Sequence, residues 1–590
     1  MKQFLKFFLA SVLGTFVTLF ILFLLMLGMI ASIMTFSSEK KTEVKENTVL
    51  KLNLSQNILD RVPSNPLAAF NWETMESDKT LGLNELLDNL QKAKEDPNVK
   101  GILLECPSSG ADMAIAEEVR NALLSFRESG KFIFAYADMY SQKGYYLSTA
   151  AEKIYMQPEG GIELKGLMAD VVFFKNLLDK IDVEAQIIRH GKFKSAVEPF
   201  MLDKMSPENR EQTERYVQTI WDNIAAGIAK SRNLSVERIN QIADSLLAMA
   251  PEKALSLGLV DNLVYRDEME DILRTHMQID TATEINYLEF TDYFHAPDPV
   301  KKRIDRSNKI AVIYALGEVV DDEGEENSIG TENITEALRN AREDKKVNAV
   351  VLRVNSPGGS ALTSDLIWRE VELTRKEKPV VASFGDVAAS GGYYIACNAS
   401  KIYAMPNTIT GSIGVFGMIP NAQRLLNERL GITFDPVKSN TNSDFAGINR
   451  PLTPYQKDVI LQSIEKVYKT FTGHVAAGRN MDISRVDSIG QGRVWSGTDA
   501  KNLGLVDELG GLDAAIAEAA RLAGVESYKV MNLPVAKDPF SAILEEFGGK
   551  KSDAYLEAHL GPYYRHLVTL RNLAMIQGPI ARLPYDIYFE

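Results

Sequence analysis

Residues 349–360 read AVVLRVNSPGGS, and residues 380–396 read VVASFGDVAASGGYYIA. In both, an apolar run rich in β-branched residues breaks directly into glycines, the pattern of a buried strand ending in a turn. Working outward, Ala349–Val354 and Val380–Phe384 alternate with amphipathic stretches at Ile334–Arg342 and Ser364–Lys376. Their apolar positions recur at helical spacing. Strands alternating with helices require crossover connections, so the strands are parallel and the fold is α/β.

The same pattern occurs twice. At an offset of 248 residues, Ala93–Pro158 aligns without a gap on Ala341–Pro406, with 17 identities in 66 positions. AKED answers ARED, GYY at 144–146 answers GYY at 392–394, and AEKIYMQP at 151–158 answers ASKIYAMP at 399–406. ALSLGLVD at 254–261 answers AKNLGLVD at 500–507, now at offset 246. A whole domain is duplicated, which is not the short period of a solenoid. The expected division is a first copy over residues 48–300 and a second over 301–530, joined at HAPDPVK (295–301) and followed by a tail over 531–590.

At 590 residues the chain exceeds what one core organises, in keeping with two domains. The net charge of −14 argues against a non-specific nucleic-acid binder, which needs a basic face. Two cysteines, Cys106 and Cys397, rule out a disulfide framework, and the six histidines are scattered. No metal site or cofactor is therefore expected. Residues 7–36 carry no charge after Lys2 and Lys6, long enough for a membrane-spanning helix and too long for a cleaved signal peptide. The expectation is an uncleaved signal anchor over residues 1–36, a charged linker over 37–47, and the bulk of the chain across the membrane.

Ser390 stands where a strand gives way to a helix, so orphan N–H groups and the helix dipole would favour an oxyanion there. The bland reading is a simple N-cap. Glycines at the end of AVVLRVNSPGG let backbone amides turn toward a ligand, as an oxyanion hole requires. A serine hydroxyl needs a base. No G-x-S-x-G elbow is present, His190 is isolated, and a lysine kept neutral by burial is the other choice. The residues alone do not select among the lysines.

GKFKSAVEPF (191–200), MSPENREQ (205–212), RVNSPGGS (353–360), AASGGYYIA (388–396), TGSIGVFG (410–417) and GRVWSGTDAKNLGLVD (492–507) follow one another in this order. Through them the whole chain resembles the long form of the signal peptide peptidase A (protease IV) family, peptidase family S49. That resemblance implies a Clp protease/crotonase-like fold of ββα units and a Ser/Lys dyad shared between the copies. It implies Ser390 as nucleophile, Lys194 rather than Lys192 as general base, and Ser412 as the residue orienting the lysine. Amides of Gly358, Gly359 and Gly391 are the implied oxyanion donors. It further implies peptide substrates, chiefly signal-peptide remnants, a homotetramer, no cofactor, and residence in the bacterial inner membrane with the catalytic copies on the periplasmic side.

The duplication supplies an independent check. Ser390 aligns with Gln142, Gly391 with Lys143, Ser412 with Leu164, and Pro357-Gly358-Gly359 with Ser109-Gly110-Ala111. One site per chain is expected, with the first copy lending only the base. Tyr393 and Tyr394 recur in the first copy and are expected to pack, and Cys397 to be a buried small hydrophobe. The rival readings are a crotonase-like enzyme acting on acyl-thioesters and an inactive membrane scaffold.

Overall fold

The computed structural model describes residues 42–63, 80–280, 283–299, 307–535 and 580–582, with the short strands Phe70–Asn71 and Glu76–Ser77 and parts of the first 24 residues. Residues 10–21 are helical and exposed, and the rest of the expected anchor lies largely outside the described residues. Among the described residues no helix is long and apolar enough to cross a membrane.

Each copy is built around parallel strands, and six strands of the second copy's eight-stranded sheet follow the order of the first copy's six. The first runs Asn262–Leu263, Lys153–Met156, Phe132–Ala137, Val99–Glu105, Thr48–Asn53, Asn286–Glu289. The matching six of the second run Glu508–Leu509, Lys401–Ala404, Val380–Ala389, Val347–Ser356, Lys309–Leu316, Lys529–Leu533, and this sheet adds Ile409–Gly411, parallel to the end of Val380–Ala389, with Val494–Ser496 antiparallel beside it. Phe132–Ala137 is buried at every position, as expected of a parallel strand covered on both faces. Side chains repeat as well. Tyr145 and Tyr393 donate to the carbonyls of Leu259 and Leu505, while Asp261 and Asp507 accept from the amides of Ile154 and Ile402. The recurring tyrosine is thus a packing residue.

Two long helices also correspond, Pro207–Arg232 and Pro454–Arg479. Both have proline in the first turn, a Ser206 or Thr453 N-cap, and a left-handed asparagine at the C-terminus, which defines where each begins and stops. The second copy extends beyond the expected boundary at 530, because Lys529–Leu533 is a strand of its sheet.

A third sheet belongs to neither copy alone. Its order is Ser328–Ile329, Glu318–Val319, Gly358–Ser360, Ile580–Arg582, Val415–Asn421, Glu184–His190. The last two pair antiparallel from Val415↔His190 to Asn421↔Glu184, so a first-copy strand runs along a second-copy strand. Ile580–Arg582, from the expected tail, lies between Gly358–Ser360 and Val415–Asn421.

The copies are also bolted together by charge. Arg353 of the second copy is fully buried and bonds Asp60 and Glu118 of the first, each at 2.6 Å. Glu118 also accepts from the amide of Leu512, which opens the helix Leu512–Ala523. Removing one member of a buried ion network leaves the others charged and dry, which costs far more than the network contributes. Arg353→Met is therefore expected to lower unfolding stability by about 3–5 kcal/mol, read from the urea midpoint. Replacing Asp60 and Glu118 by leucine in the same background should recover most of that loss. An unchanged midpoint in the single variant would show that this network does not hold the copies together.

Candidate active site

Ser390 sits between the strand Val380–Ala389 and the helix Gly391–Ala396. Its backbone has φ 56° and ψ −115°, a strained geometry for a residue with a Cβ. The turn is held by its own amide, which donates to the Gly411 carbonyl at 2.8 Å. The helix can start so close to the sheet because residue 392 is glycine, since a Cβ there would stand 2.7 Å from the Ser356 carbonyl oxygen. Six residues long, the helix contributes less dipole than the sequence suggested.

Lys194 comes from the other copy. Leaving the strand Glu184–His190, the chain turns through Gly191 and carries Lys194 beneath Val415–Asn421. Its stem has room because positions 414 and 492 are glycine: a Cβ at Gly492 would lie 2.6 Å from the Lys194 Cα, and one at Gly414 would lie 3.2 Å from its Cδ. Two residues lock this loop. Gln212 donates to the Phe193 carbonyl and to Ser195 Oγ, and accepts from the amide of Val494 across the copy boundary. Glu198, fully buried, accepts from the amide and hydroxyl of Ser206 at the start of the long helix. The motifs around 191–200 and 205–212 are thus one structural unit.

The lysine Nζ lies 2.9 Å from Ser390 Oγ and 3.1 Å from Ser412 Oγ, and also meets the Arg582 carbonyl. Lys194, Ser390 and Ser412 are all fully buried. Burial pushes the amine well below its ordinary value of 10.5, and among the described residues no carboxylate pairs with it. A neutral amine has two N–H bonds and one lone pair. The two hydrogens suit Ser412 Oγ and the Arg582 carbonyl, leaving the lone pair for the Ser390 hydroxyl proton. Ser412 is itself fixed, with φ 50° and its amide donating to the Arg493 carbonyl at 2.7 Å.

The glycines divide. Gly358, at φ 95°, faces the Ser390 turn: a Cβ there would lie 2.6 Å from the Gly391 nitrogen. Its amide donates to Ser356 Oγ at 3.2 Å. Gly359 is a strand residue, paired with Val319 on one side and Ala581 on the other. Lys192 is exposed, and the His190 ring lies on Tyr468 with centroids 4.0 Å apart. Cys397 is buried, its thiol pushed up to about 12 by desolvation.

The first copy's equivalent position is filled. Gln142, aligned with Ser390, accepts from the amides of Lys165 and Gly166 and donates to the Gly166 carbonyl. Leu164, aligned with Ser412, is buried. An amide staple stands where the second copy has a hydroxyl and an amine.

A strained serine at a strand-to-helix turn faces a buried amine whose hold on its proton is weakened by desolvation, a pairing suited to nucleophilic chemistry. Comparison with known proteins gives the family. The model of "Peptidase family S49" matches twice, over residues 125–280 and 372–526, and the chain belongs to that family. Protease 4 of Salmonella typhi is 36% identical over 524 residues, covering 86% of this chain and 84% of that protein. Protease 4 of Haemophilus influenzae is 34% identical over 521 residues, covering 85% and 84%. The chloroplastic serine protease SPPA of Arabidopsis thaliana is 31% identical over 511 residues, covering 86% and 74%. Among solved structures, a point mutant of ClpP1 from Listeria monocytogenes covers 35% of this chain and 94% of its own at 15% identity and a TM-score of 0.24. The α/β assignment rests on the sheet order, not on that likeness.

The buried amine makes a stability prediction. Unfolded, Lys194 binds its proton below 10.5, whereas the folded site releases it at a lower pH. Between those two values the unfolded chain holds more protons, so stability rises with pH. The penalty is full below the folded value and vanishes above 10.5. Lys194→Met, similar in volume and never charged, is expected to be more stable than wild type, with the gap largest in acid and closing toward pH 10. Equal stability of the two proteins across that range would mean the amine is not held neutral.

Proposed function

We propose that the chain is a serine peptidase in which Ser390 attacks and Lys194 is the general base. The observation carrying this reading is the 2.9 Å approach of a fully buried lysine amine to Ser390 Oγ. The names of the relatives, Protease 4 and serine protease SPPA, support it.

Neutral Lys194 takes the Ser390 proton as Oγ adds to the scissile carbonyl. It then gives that proton to the leaving amine, and in the second half it activates water to release the acyl group from Ser390. Ser412 keeps the amine aimed by accepting one of its hydrogens. The Gly391 and Gly358 amides are the candidates for stabilising the oxyanion, with Gly358 switching from Ser356 Oγ. Gly359 is less suited, because its backbone lies between two strands. No cofactor is needed for these steps.

The finer readings rest on the sequence. The uncharged run over residues 7–36 supports a membrane anchor, and the family resemblance supports the bacterial inner membrane, the periplasmic side, signal-peptide remnants as substrates, and the Clp protease/crotonase-like architecture. A homotetramer gains support from exposed apolar side chains. Val415–Asn421 is followed by Leu430, Ile432, Phe434 and Val437, all exposed, while the first copy exposes Met168 and Val172. Such edges suit head-to-tail pairing between chains. The thioester reading gains nothing from Asp386, whose carboxylate is held by the amides of Ala114 and Ile115 in the other copy.

Ser390→Ala and Lys194→Ala are each expected to abolish hydrolysis of a fluorogenic peptide, and Ser412→Ala to lower kcat by roughly 10²-fold. In wild type, kcat/KM should fall on the acid side as Lys194 takes up its proton, below the ordinary lysine range. Hydrolysis by the Ser390→Ala protein near the wild-type rate would remove this reading.

A further inference from the structure

The third sheet contains a slot one strand wide, and the chain's own segment Ile580–Arg582 lies in it. On one side it pairs antiparallel with Gly358–Ser360, from Gly358↔Arg582 to Ser360↔Ile580, and on the other Ile580 pairs antiparallel with Phe416. An extended peptide gripped by two strand edges is bound through its backbone, which is indifferent to side-chain identity. The Arg582 carbonyl meets the amine of Lys194. Ile580–Arg582 therefore sits as a peptide would whose carbonyl at residue 582 meets the Lys194 amine.

Selectivity in such a slot must come from side chains, and the Arg582 side chain lies against a carboxylate. Its Nη1 lies 3.1 Å from Glu318 Oε1, with side-chain exposures of 10% and 19%. Glu318 belongs to the strand Glu318–Val319, which borders the glycine strand through Val319↔Gly359. The strand leads into an exposed acidic loop carrying Asp321, Asp322, Glu323, Glu325 and Glu326. The neighbouring Ala581 is fully buried, leaving little space beyond a methyl group.

We propose that Glu318 selects a basic side chain, arginine or lysine, at the substrate residue whose carbonyl meets the Ser/Lys pair, and that Ile580–Arg582 occupies this slot as the chain's own ligand of that class. The assignment rests on the peptidase reading above and deepens it. Backbone pairing holds the peptide, while a half-dry carboxylate beside the slot distinguishes basic from apolar and acidic residues. A charge pair shielded from water discriminates more strongly than one on an open surface, because the rejected side chain leaves Glu318 poorly solvated or faces it with like charge.

The test uses the full-length protein and three fluorogenic peptides that differ only in Arg, Leu or Glu at the residue preceding the cut. Wild type is expected to favour the Arg peptide over the Leu peptide by roughly ten-fold in kcat/KM. Glu318→Gln, nearly isosteric, should erase that ratio, and Glu318→Lys should turn the preference toward the Glu peptide. An Arg-to-Leu ratio that is the same in wild type and Glu318→Lys overturns the inference and leaves the peptidase reading standing. A binding arm uses the same peptides, fluorescein-labelled, with the Ser390→Ala protein and with Ser390→Ala carrying Glu318→Lys. Tighter binding of the Arg peptide, reversed by Glu318→Lys, supports the slot assignment even where no peptide is cut, an outcome that would fell the peptidase reading alone. Equal affinities for Arg and Glu peptides overturn the slot assignment whatever the cleavage results.

Discussion

The antiparallel pairing of Glu184–His190 with Val415–Asn421 is the constraint from which the site follows. Lys194 lies 196 residues before Ser390 and in a different copy, so no local preference brings the two side chains together. Fixed backbone register does. Once Val415 stands opposite His190, the turn at Gly191 delivers Lys194 under the second copy's sheet. The error allowed is small, because an amine and a hydroxyl exchange a proton only near hydrogen-bond distance. Gln212 and Glu198 serve that tolerance by tying the lysine loop to the long helix and to Val494.

The same arrangement explains why Lys194 gives up its proton more readily than an ordinary lysine. A lysine is kept neutral when the space around it is dry and offers no carboxylate. Both conditions hold at Lys194, where glycines at 414 and 492 let backbone close around the stem. Contrast Arg353, equally buried, whose two carboxylate partners keep it charged. One buried cation fastens the copies together and one buried amine is left without an ionic partner between them. Burial alone decides neither role; the neighbouring charges do.

Duplication gave the chain two scaffolds and one close pairing of a serine with a buried lysine. The paired tyrosines, the Asp261 and Asp507 contacts and the twin long helices persist in both copies because each maintains packing. The chemistry is not repeated. Gln142, at the position that answers Ser390, bonds the Lys165–Gly166 backbone, so that half is a folded support rather than a damaged site.

The linear chain by itself determined much of this. Alternating apolar runs and helical stretches gave parallel sheets, an offset near 248 gave two copies, and the glycine-flanked Ser390 marked a strand-to-helix turn. These features are readable because they depend on short-range periodicity and on residues near one another. The motif match named Lys194 and Ser412, yet no local signal distinguished Lys194 from Lys192, one buried and the other exposed. The splitting of Gly358 from Gly359, the Arg353 network and the seating of Arg582 beside Glu318 were equally invisible. Each is a contact between segments tens to hundreds of residues apart, and desolvation exists only once those segments close around a side chain. Tertiary structure decided which lysine is dry.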